Sequence, residues 1–410
     1  MSDLTKGLDR ALSGIPNSKL GVAVSGGGDS VALLLMLAAR GDGLRAVTVD
    51  HGLRRESAEE AAHVATLCQR LGIPHHVLTW QNWDKSGNLQ DAARQARLRL
   101  IGAWAVKESI THIALGHTLD DQAETVLLRL ARGSGVDGLS GMAAQRIDGP
   151  LTWARPLLHA RRAELRTYLV ENGVEWIEDP SNDDPKYDRV KARQALVILS
   201  DLGITADGLI ATADRMQDAR IALEAATLDL ANTCLEITDA GEVRLDMAIF
   251  NAAPDELRFR LLSATLQWFS GAPYRPRFDS LRGVLNRIDT ENGQTLHGCI
   301  IRSHSGNIIV RREVERVTHA CHIDAIWDHR WVVTEHGRDP AKTIAALGEE
   351  GLRECTNWRD TGHAREVLLA SPAMWADGLL VAAPMAGMAN GWAIGLKYGK
   401  KGLHESLMTR

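Results

Sequence analysis

A chain of 410 residues exceeds the roughly 250 to 300 residues at which a single core stops growing, so two or three domains are expected. With 45% hydrophobic and 24% charged residues the composition is globular and excludes a disordered or collagenous chain. A net charge of -5 excludes a polycation but leaves room for local basic faces that meet nucleic acid.

From the N-terminus, Asp3, Lys6, Asp9 and Arg10 interrupt any apolar core that a signal peptide would need. Short apolar runs then alternate with helical periodicity, the pattern of an α/β domain with a doubly wound parallel sheet. Strands are expected at Gly21 to Ser25, Leu44 to Asp50, His75 to Trp80 and His112 to Gly116. Helices are expected near 30–40, 57–71, 88–108 and 120–131. A further helix over Arg161 to Asn172 should lead to a fifth strand near Val174 to Ile177.

Beyond Leu199 the pattern turns helical, with Ala206 to Leu235, Asp255 to Phe269 and Phe278 to Ile288 as three helices. From Leu296 onward short strands at Ile300-Ile301, Ile308 to Val310 and Trp331 to Val333 suggest a mixed C-terminal region. The expected divisions are 1–200, 201–292 and 293–410.

Membrane spans are not expected. The longest apolar run, Val31 to Ala39, is about half of the roughly 20 residues needed, and Pro384, Asn390 and four glycines break up 378–396. Five scattered cysteines, Cys68, Cys234, Cys299, Cys321 and Cys355, contain no Cys-x-x-Cys pair and fit a reducing cytoplasm.

In doubly wound folds ligands sit beyond the carboxyl ends of the strands. The first such position reads Ser25-Gly26-Gly27-Gly28-Asp29-Ser30, in strand-turn-helix context. Its glycines let the backbone turn sharply and aim N–H groups at an anion at the helix start. It lacks the Gly-Lys-Ser of a Walker loop and the spacing of a dinucleotide fingerprint. Asp50 and His51 end the second strand, where an adenosine commonly lies, and His117 follows the fourth. Asp121, one helical turn from His117, could share its cleft and hold Mg²⁺ or an ammonium. Asp120 and Glu124 are read as helix-start carboxylates favoured by the dipole. Arg275, Arg277, Arg282 and Arg287, beside Tyr274 and Phe278, form a candidate RNA face.

The hexapeptide resembles the pyrophosphate-loop (PP-loop) signature of ATP pyrophosphatases. Further ordered motifs narrow the likeness: Asp50-His-Gly-Leu-Arg54, Gly87-Asn-Leu-Gln-Asp-Ala-Ala-Arg94-Gln-Ala-Arg97 and Gly116-His-Thr-Leu-Asp-Asp-Gln-Ala-Glu-Thr125. Arg132-Gly-Ser-Gly135, Arg155-Pro-Leu-Leu158 and Asp179-Pro-Ser-Asn182 extend it, so that residues 15–200 resemble the tRNA(Ile)-lysidine synthetase family. One departure shows near Arg189-Val-Lys-Ala-Arg193: Val190 stands where the family commonly has Asn, and Ala195 where an acidic residue is frequent.

The resemblance implies ATP and Mg²⁺ as cofactors, and a CAU-anticodon isoleucine tRNA and free lysine as partners. Ser25, Gly26, Gly27, Gly28 and Ser30 would hold pyrophosphate, Asp29 would face Mg²⁺, and Asp50 and His51 would border the nucleotide. Arg97 and His117 would stabilise phosphate charge, with Asp121 on metal or lysine. Arg132, Arg155, Arg189, Lys191 and Arg193 read as phosphate or tRNA contacts. Three other readings are weaker. A tRNA thiolase needs cysteines near the site, and only Cys68 falls in the first domain. An amide synthetase would show its own motifs, and a module that binds ATP without turnover should have lost Asp29, Arg97, His117 and Asp121.

Overall fold

A computed structural model describes residues 3–52, 56–80, 89–178, 184–272, 274–288, 293–337, 341, 343–397 and 399–408. Two units result, residues 1–220 and 221–409.

The first unit runs α1 (Asp3–Ala11), β1 (Leu20–Ala23), α2 (Gly28–Ala38), β2 (Arg45–Asp50), α3 (Glu56–Arg70), β3 (His75–Thr79), α4 (Leu89–Lys107), β4 (His112–Leu115) and α5 (Leu119–Ala131). It continues with α6 (Val136–Leu139), β5 (Gln145–Asp148), β6 (Leu151–Ala154), α7 (Arg162–Glu171), α8 (Asp188–Ser200) and the start of α9 (Ala206–Cys234). The sheet order is β3-β2-β1-β4-β6-β5, parallel except for β5.

Leu20 and Val22 of β1 are fully buried, because helices cover both faces of the sheet. On one side Val31, Leu34 and Leu37 of α2 pack with Val64 of α3 and Leu165 and Leu169 of α7. On the other, Ile101 and Trp104 of α4 pack with Val47, Ile113 and Trp153. Successive strands lie on opposite sides of β1, with β2 on one flank and β4 on the other. The crevice between the ends of β1 and β4 is therefore the switch point where such sheets bind ligands.

The fifth parallel strand is β6, not the expected Val174 to Ile177. Leu151, Trp153 and Ala154 are buried against β4, and Gly149, at φ +57°, allows the tight turn back from antiparallel β5. Residues 174–178 form no strand because their hydrogen bonding is directed elsewhere: the Ile177 N–H donates to the Gly26 carbonyl at 3.0 Å.

In the second unit α9 ends, followed by β7 (Leu235–Ile237), β8 (Val243–Asp246), α10 (Met247–Ala252), α11 (Asp255–Ser270), α12 (Phe278–Leu285), β9 (Gln294–Leu296), β10 (Cys299–His304) and β11 (Asn307–Arg312). Then come β12 (Cys321–His322), β13 (Trp331–Glu335), β14 (Thr343–Ala346), α13 (Gly348–Glu354), α14 (Arg365–Leu369), β15 (Pro372–Ala376), β16 (Leu379–Ala382), β17 (Ala393–Leu396) and α15 (Gly399–Met408). Sheet β7-β8-β11-β10-β9 takes strands from both sides of residue 292, with β8 paired to β11. The expected division at 292/293 thus corresponds to no break: Leu245, Phe250, Leu261, Phe269, Ile308 and Leu403 share one core. Strands of three or four residues are too short for alternation to reveal them.

One buried charge group braces this unit. Asp328 accepts from Arg312 Nε at 3.2 Å and from Arg330 Nη2 at 3.1 Å, and the Arg330 guanidinium lies 4.4 Å from the Phe269 ring centre. Buried charges persist when paired in this way.

Candidate active site

The loop between β1 and α2 owes its shape to three close approaches. Gly26 sits at φ +90°, with the Ile177 methyl 3.1 Å from where a Cβ would stand. A Cβ on Gly28 would meet the Trp176 ring at 3.3 Å, and one on Gly116 would lie 3.1 Å from the backbone of Ser30. The end of β4 is thus pressed against the loop. Inside the loop Ser30 Oγ donates to the Gly27 carbonyl at 2.9 Å and accepts from the Ser25 N–H at 3.1 Å. Two glycine-bearing turns and a serine brace hold the start of α2 open to a cleft of about 1420 Å³.

Of the carboxylates that line the cleft, Asp29, Asp121 and Glu124 lie together, each met by arginine. Asp29 Oδ2 accepts from Arg162 Nε at 3.0 Å, and Asp121 Oδ1 from Arg162 Nη2 at 3.1 Å. Glu124 Oε1 accepts from Arg193 Nε at 3.0 Å and lies 3.8 Å from Arg162 Nη1. Arg189 adds a second cation 3.5 Å from Asp121 Oδ1. The other Asp121 oxygen is committed to a capping box at the start of α5, accepting from the Thr118 N–H at 2.9 Å and the Thr118 hydroxyl at 3.1 Å.

Burial pushes the Asp29 carboxyl above its ordinary pKa against the pull of Arg162, and burial does the same to Glu124 against Arg193. Burial works against the charge on Arg162, but Asp121, Asp29 and Glu124 outweigh it and hold that guanidinium firmly protonated.

His51 and His117 are both neutral at pH 7. Burial first, then Arg97, lowers His51 to about 4; burial lowers His117 to about 4 despite the attraction of Asp121. Arg97 on α4 donates from Nε to His51 Nε2 at 3.2 Å, and its Nη2 stands 2.9 Å from the same atom. His117 Nδ1 is buried without a hydrogen-bond partner.

Of the residues singled out in the sequence, Ser25, Gly27, Gly28, Asp29, Ser30, Arg97, His117, Asp121, Arg132, Arg189 and Arg193 line the one cleft. Gly26 shapes the loop from behind. Asp50, His51, Arg155 and Lys191 are not in its lining. The Ser57 hydroxyl at 2.6 Å and the Gly52 N–H at 2.8 Å occupy Asp50 Oδ1 and hold its pKa down, which makes it a strand-end cap. Arg155 donates to the Ala143 carbonyl at 2.7 Å, and Lys191 stands 3.7 Å from Asp188. The motifs Leu53-Arg54, Gly87-Asn88 and Asp179 to Asn182 lie outside the described residues.

Sequence reasoning missed Arg162 and assigned Glu124 only to the helix dipole. Glu124 is 1% exposed, beyond anything a dipole requires. The spacing Asp121-x-x-Glu124 on one helix face was the available signal; for Arg162, which lies 133 residues from Asp29, there was none.

Whether the residues suit Mg²⁺ can be judged from these donors. That ion takes one or two carboxylates and completes its shell with water and substrate phosphate. Asp29 and Asp121, from two different elements, aim one oxygen each at a single cation, the Arg162 guanidinium. Two carboxylates converging on one positive charge fit the ion, although no group of three His, Cys, Asp or Glu suited to a metal occurs among the described residues. Cys68, in α3, is buried, and its thiol is pushed up to about 11, so it offers no thiolate at neutral pH.

No helix among the described residues is long and apolar enough to cross a membrane. Residues 2–199 match the PP-loop domain family. The chain is 45% identical to the tRNA(Ile)-lysidine synthase of Ruegeria pomeroyi over 99% of this chain and 98% of that relative. It is 34% identical to that of Wolbachia pipientis wMel over 90% of this chain and 89% of the other. Among solved structures, a U34-tRNA thiolase from Methanococcus maripaludis is similar over 53% of this chain and 79% of its own, at 16% identity and a TM-score of 0.46.

Proposed function

The chain belongs to the tRNA(Ile)-lysidine synthase family and its first unit is a PP-loop domain, and from that premise we propose how its cleft performs a two-step carbon–nitrogen ligation. The observation that carries the assignment of roles is the convergence of Asp29, Arg97, His117 and Asp121 on one cleft from the loop, α4, the end of β4 and α5.

In the first step the C2 oxygen of the wobble cytidine, in a CAU-anticodon isoleucine tRNA, attacks the α-phosphate of ATP, and pyrophosphate leaves. The N–H groups at the start of α2 and the hydroxyls of Ser25 and Ser30 suit the departing pyrophosphate. Arg97 supplies positive charge where charge builds on the phosphate oxygens, and neutral His51 orients it by accepting its N–H. Mg²⁺, when bound, neutralises phosphate charge, and Asp29 and Asp121 would hold it.

In the second step the amine of free lysine attacks C2, and AMP departs with the former C2 oxygen. An ammonium must shed a proton to become a nucleophile. Glu124 Oε2, buried and without a hydrogen-bond partner, suits an amine, and Asp121 stands one turn away on the same helix. Neutral His117 offers a further acceptor at neutral pH.

The tRNA polyanion would extend over Arg132, Arg189 and Arg193 at the rim of the cleft. In the second unit Arg282 stacks 4.4 Å from the centre of the Phe278 ring, itself 4.7 Å from Phe259. Phe278 is 50% and Tyr274 70% exposed, a stacking surface for nucleotides. The expected compartment is the cytoplasm, where tRNA, ATP and lysine occur together.

Incubation with labelled lysine, ATP, Mg²⁺ and a CAU-bearing isoleucine tRNA transcript, followed by acid precipitation, tests the whole reading. Label should enter that tRNA and not methionine tRNA. Absence of label with tRNA-dependent pyrophosphate release would overturn the lysine step alone; absence of both would overturn the activity.

A further inference from the structure

Arg162 lies against Asp29, Asp121 and Glu124, and its root is tied in place. Its backbone N–H donates to Asp120 Oδ2 at 2.7 Å, and the neighbouring Ala160 carbonyl accepts from the Leu119 N–H at 2.9 Å, so the starts of α5 and α7 are tied together. From that anchor Nε, Nη2 and Nη1 address Asp29, Asp121 and Glu124 in turn. The side chain is 19% exposed, so the pairing is sheltered without being sealed.

Two of the three acids have other support. Asp121 keeps Thr118 and Arg189 if the guanidinium leaves, and Glu124 keeps Arg193. Asp29, on the pyrophosphate loop, loses its hydrogen-bonded arginine and keeps only the weaker attraction of Arg166. Since Thr118 takes Asp121 Oδ2, the oxygen a metal would use is Oδ1, the one that Arg162 holds. A dication and this guanidinium therefore compete for Asp121 Oδ1 and for the Asp29 carboxylate.

We propose that Arg162 is a positioning residue: a resident counter-cation that fills the place between Asp29 and Asp121 in the nucleotide-free cleft and yields it to a divalent cation only when phosphate arrives with the ion. A free dication would have to expel a cation from its two nearest carboxylates and leave it only Glu124, 3.8 Å from its Nη1. An ion accompanied by phosphates brings anions onto which the expelled guanidinium can turn, so the exchange becomes favourable. The cleft would thereby admit metal–nucleotide and reject bare metal.

The inference rests on Asp29 and Asp121 as the metal-holding carboxylates, and Mn²⁺ binding to the full chain, followed by the paramagnetic signal of free Mn²⁺, separates the two ideas. Without nucleotide, R162Q should bind Mn²⁺ at least about tenfold more tightly than the unaltered chain, because a juxtaposed like charge has been removed. R162K, which keeps the charge, should bind as the unaltered chain does, and adding D29N to R162Q should abolish the gain. With a non-hydrolysable ATP analogue the R162Q difference should shrink to within about threefold. Circular dichroism checks folding, and R162M, of similar length, replaces R162Q should that variant unfold. Equal Mn²⁺ affinity of R162Q and the unaltered chain without nucleotide, while D29N weakens binding with the analogue, overturns the counter-cation alone. D29N that leaves binding with the analogue unchanged overturns both ideas.

Discussion

Arg193 on α8 sets its Nε 3.0 Å from Oε1 of Glu124 on α5 and leaves Oε2 of that buried carboxylate without a hydrogen-bond partner. Such an orphan oxygen is uncommon, because the desolvation penalty goes uncompensated, and a ligand amine removes the deficit. E124Q keeps the shape and the contact to Arg193 but loses the charge. Its KM for lysine should rise about 10- to 100-fold, the worth of a charge-assisted hydrogen bond, while pyrophosphate release with saturating ATP and tRNA stays within about twofold. Lysine titration of label incorporation measures it; an unchanged KM removes Glu124 from the lysine site.

Asp29 lies at the loop and its carboxylate is balanced by Arg162. D29A should lower tRNA-dependent pyrophosphate release by at least about 10²-fold, the cost of losing one electrostatic element of the transition state. Circular dichroism should be unchanged, since Arg162 retains Asp121 and Glu124. Undiminished release refutes the loop's role.

Two glycine substitutions should differ. The Cβ of G116A would stand 3.1 Å from the Ser30 backbone, which cannot yield without moving the loop; the Cβ of G28A would meet the Trp176 ring at 3.3 Å, which can shift by tenths of an ångström. G116A should cost about 1–3 kcal/mol of stability through overpacking, and G28A less. Urea unfolding and ATP affinity, measured in parallel, should rank G116A as the more damaged on both counts.

The buried histidines give the first unit an acid-side instability. His51 and His117 have pKa values of about 4 when folded and about 6.5 when unfolded, so between those limits the unfolded chain binds more protons. Stability is therefore greatest above about pH 6.5 and is lost as pH falls towards about 4. H117Q should flatten this slope, read by urea unfolding across pH 5 to 7.5. A slope unaltered by that change would mean that His117 takes up its proton over the same pH range folded and unfolded.

Phe278 and Arg282 make a stacked pair on an exposed part of α12. F278A should weaken tRNA binding by about 1–2 kcal/mol, typical of a lost stacking contact, without altering the KM for lysine. R282A should in addition make the salt dependence of tRNA binding shallower, by up to about one in log–log slope. Filter binding at several salt concentrations tests both; unaltered affinity would move the tRNA contact elsewhere.

Local sequence determined what depends on local physics. Four strands of the first unit lie within a residue or two of their expected positions, because buried parallel strands are short apolar runs punctuated by helices. The PP-loop was legible for a similar reason: six consecutive residues contain both the turn and the anion-binding helix start. The nearness of His117 to Asp121 was legible because four residues separate them, with His117 just before the Thr118 cap of α5.

Tertiary structure alone decided the rest. Val174 looked like part of a strand but packs into the core beneath a segment that closes on Gly26, since its place in the sheet is filled by β6. Asp50, expected beside the nucleotide, has its Oδ1 taken up in capping its own loop. Arg162 carried no local signal: three acids surround it only because the sheet order brings the ends of β1 and β4 together and α7 starts beside α5. A charge's role depends on which charges the fold places within a few ångströms, and at separations of 133 and 41 residues no periodicity encodes that.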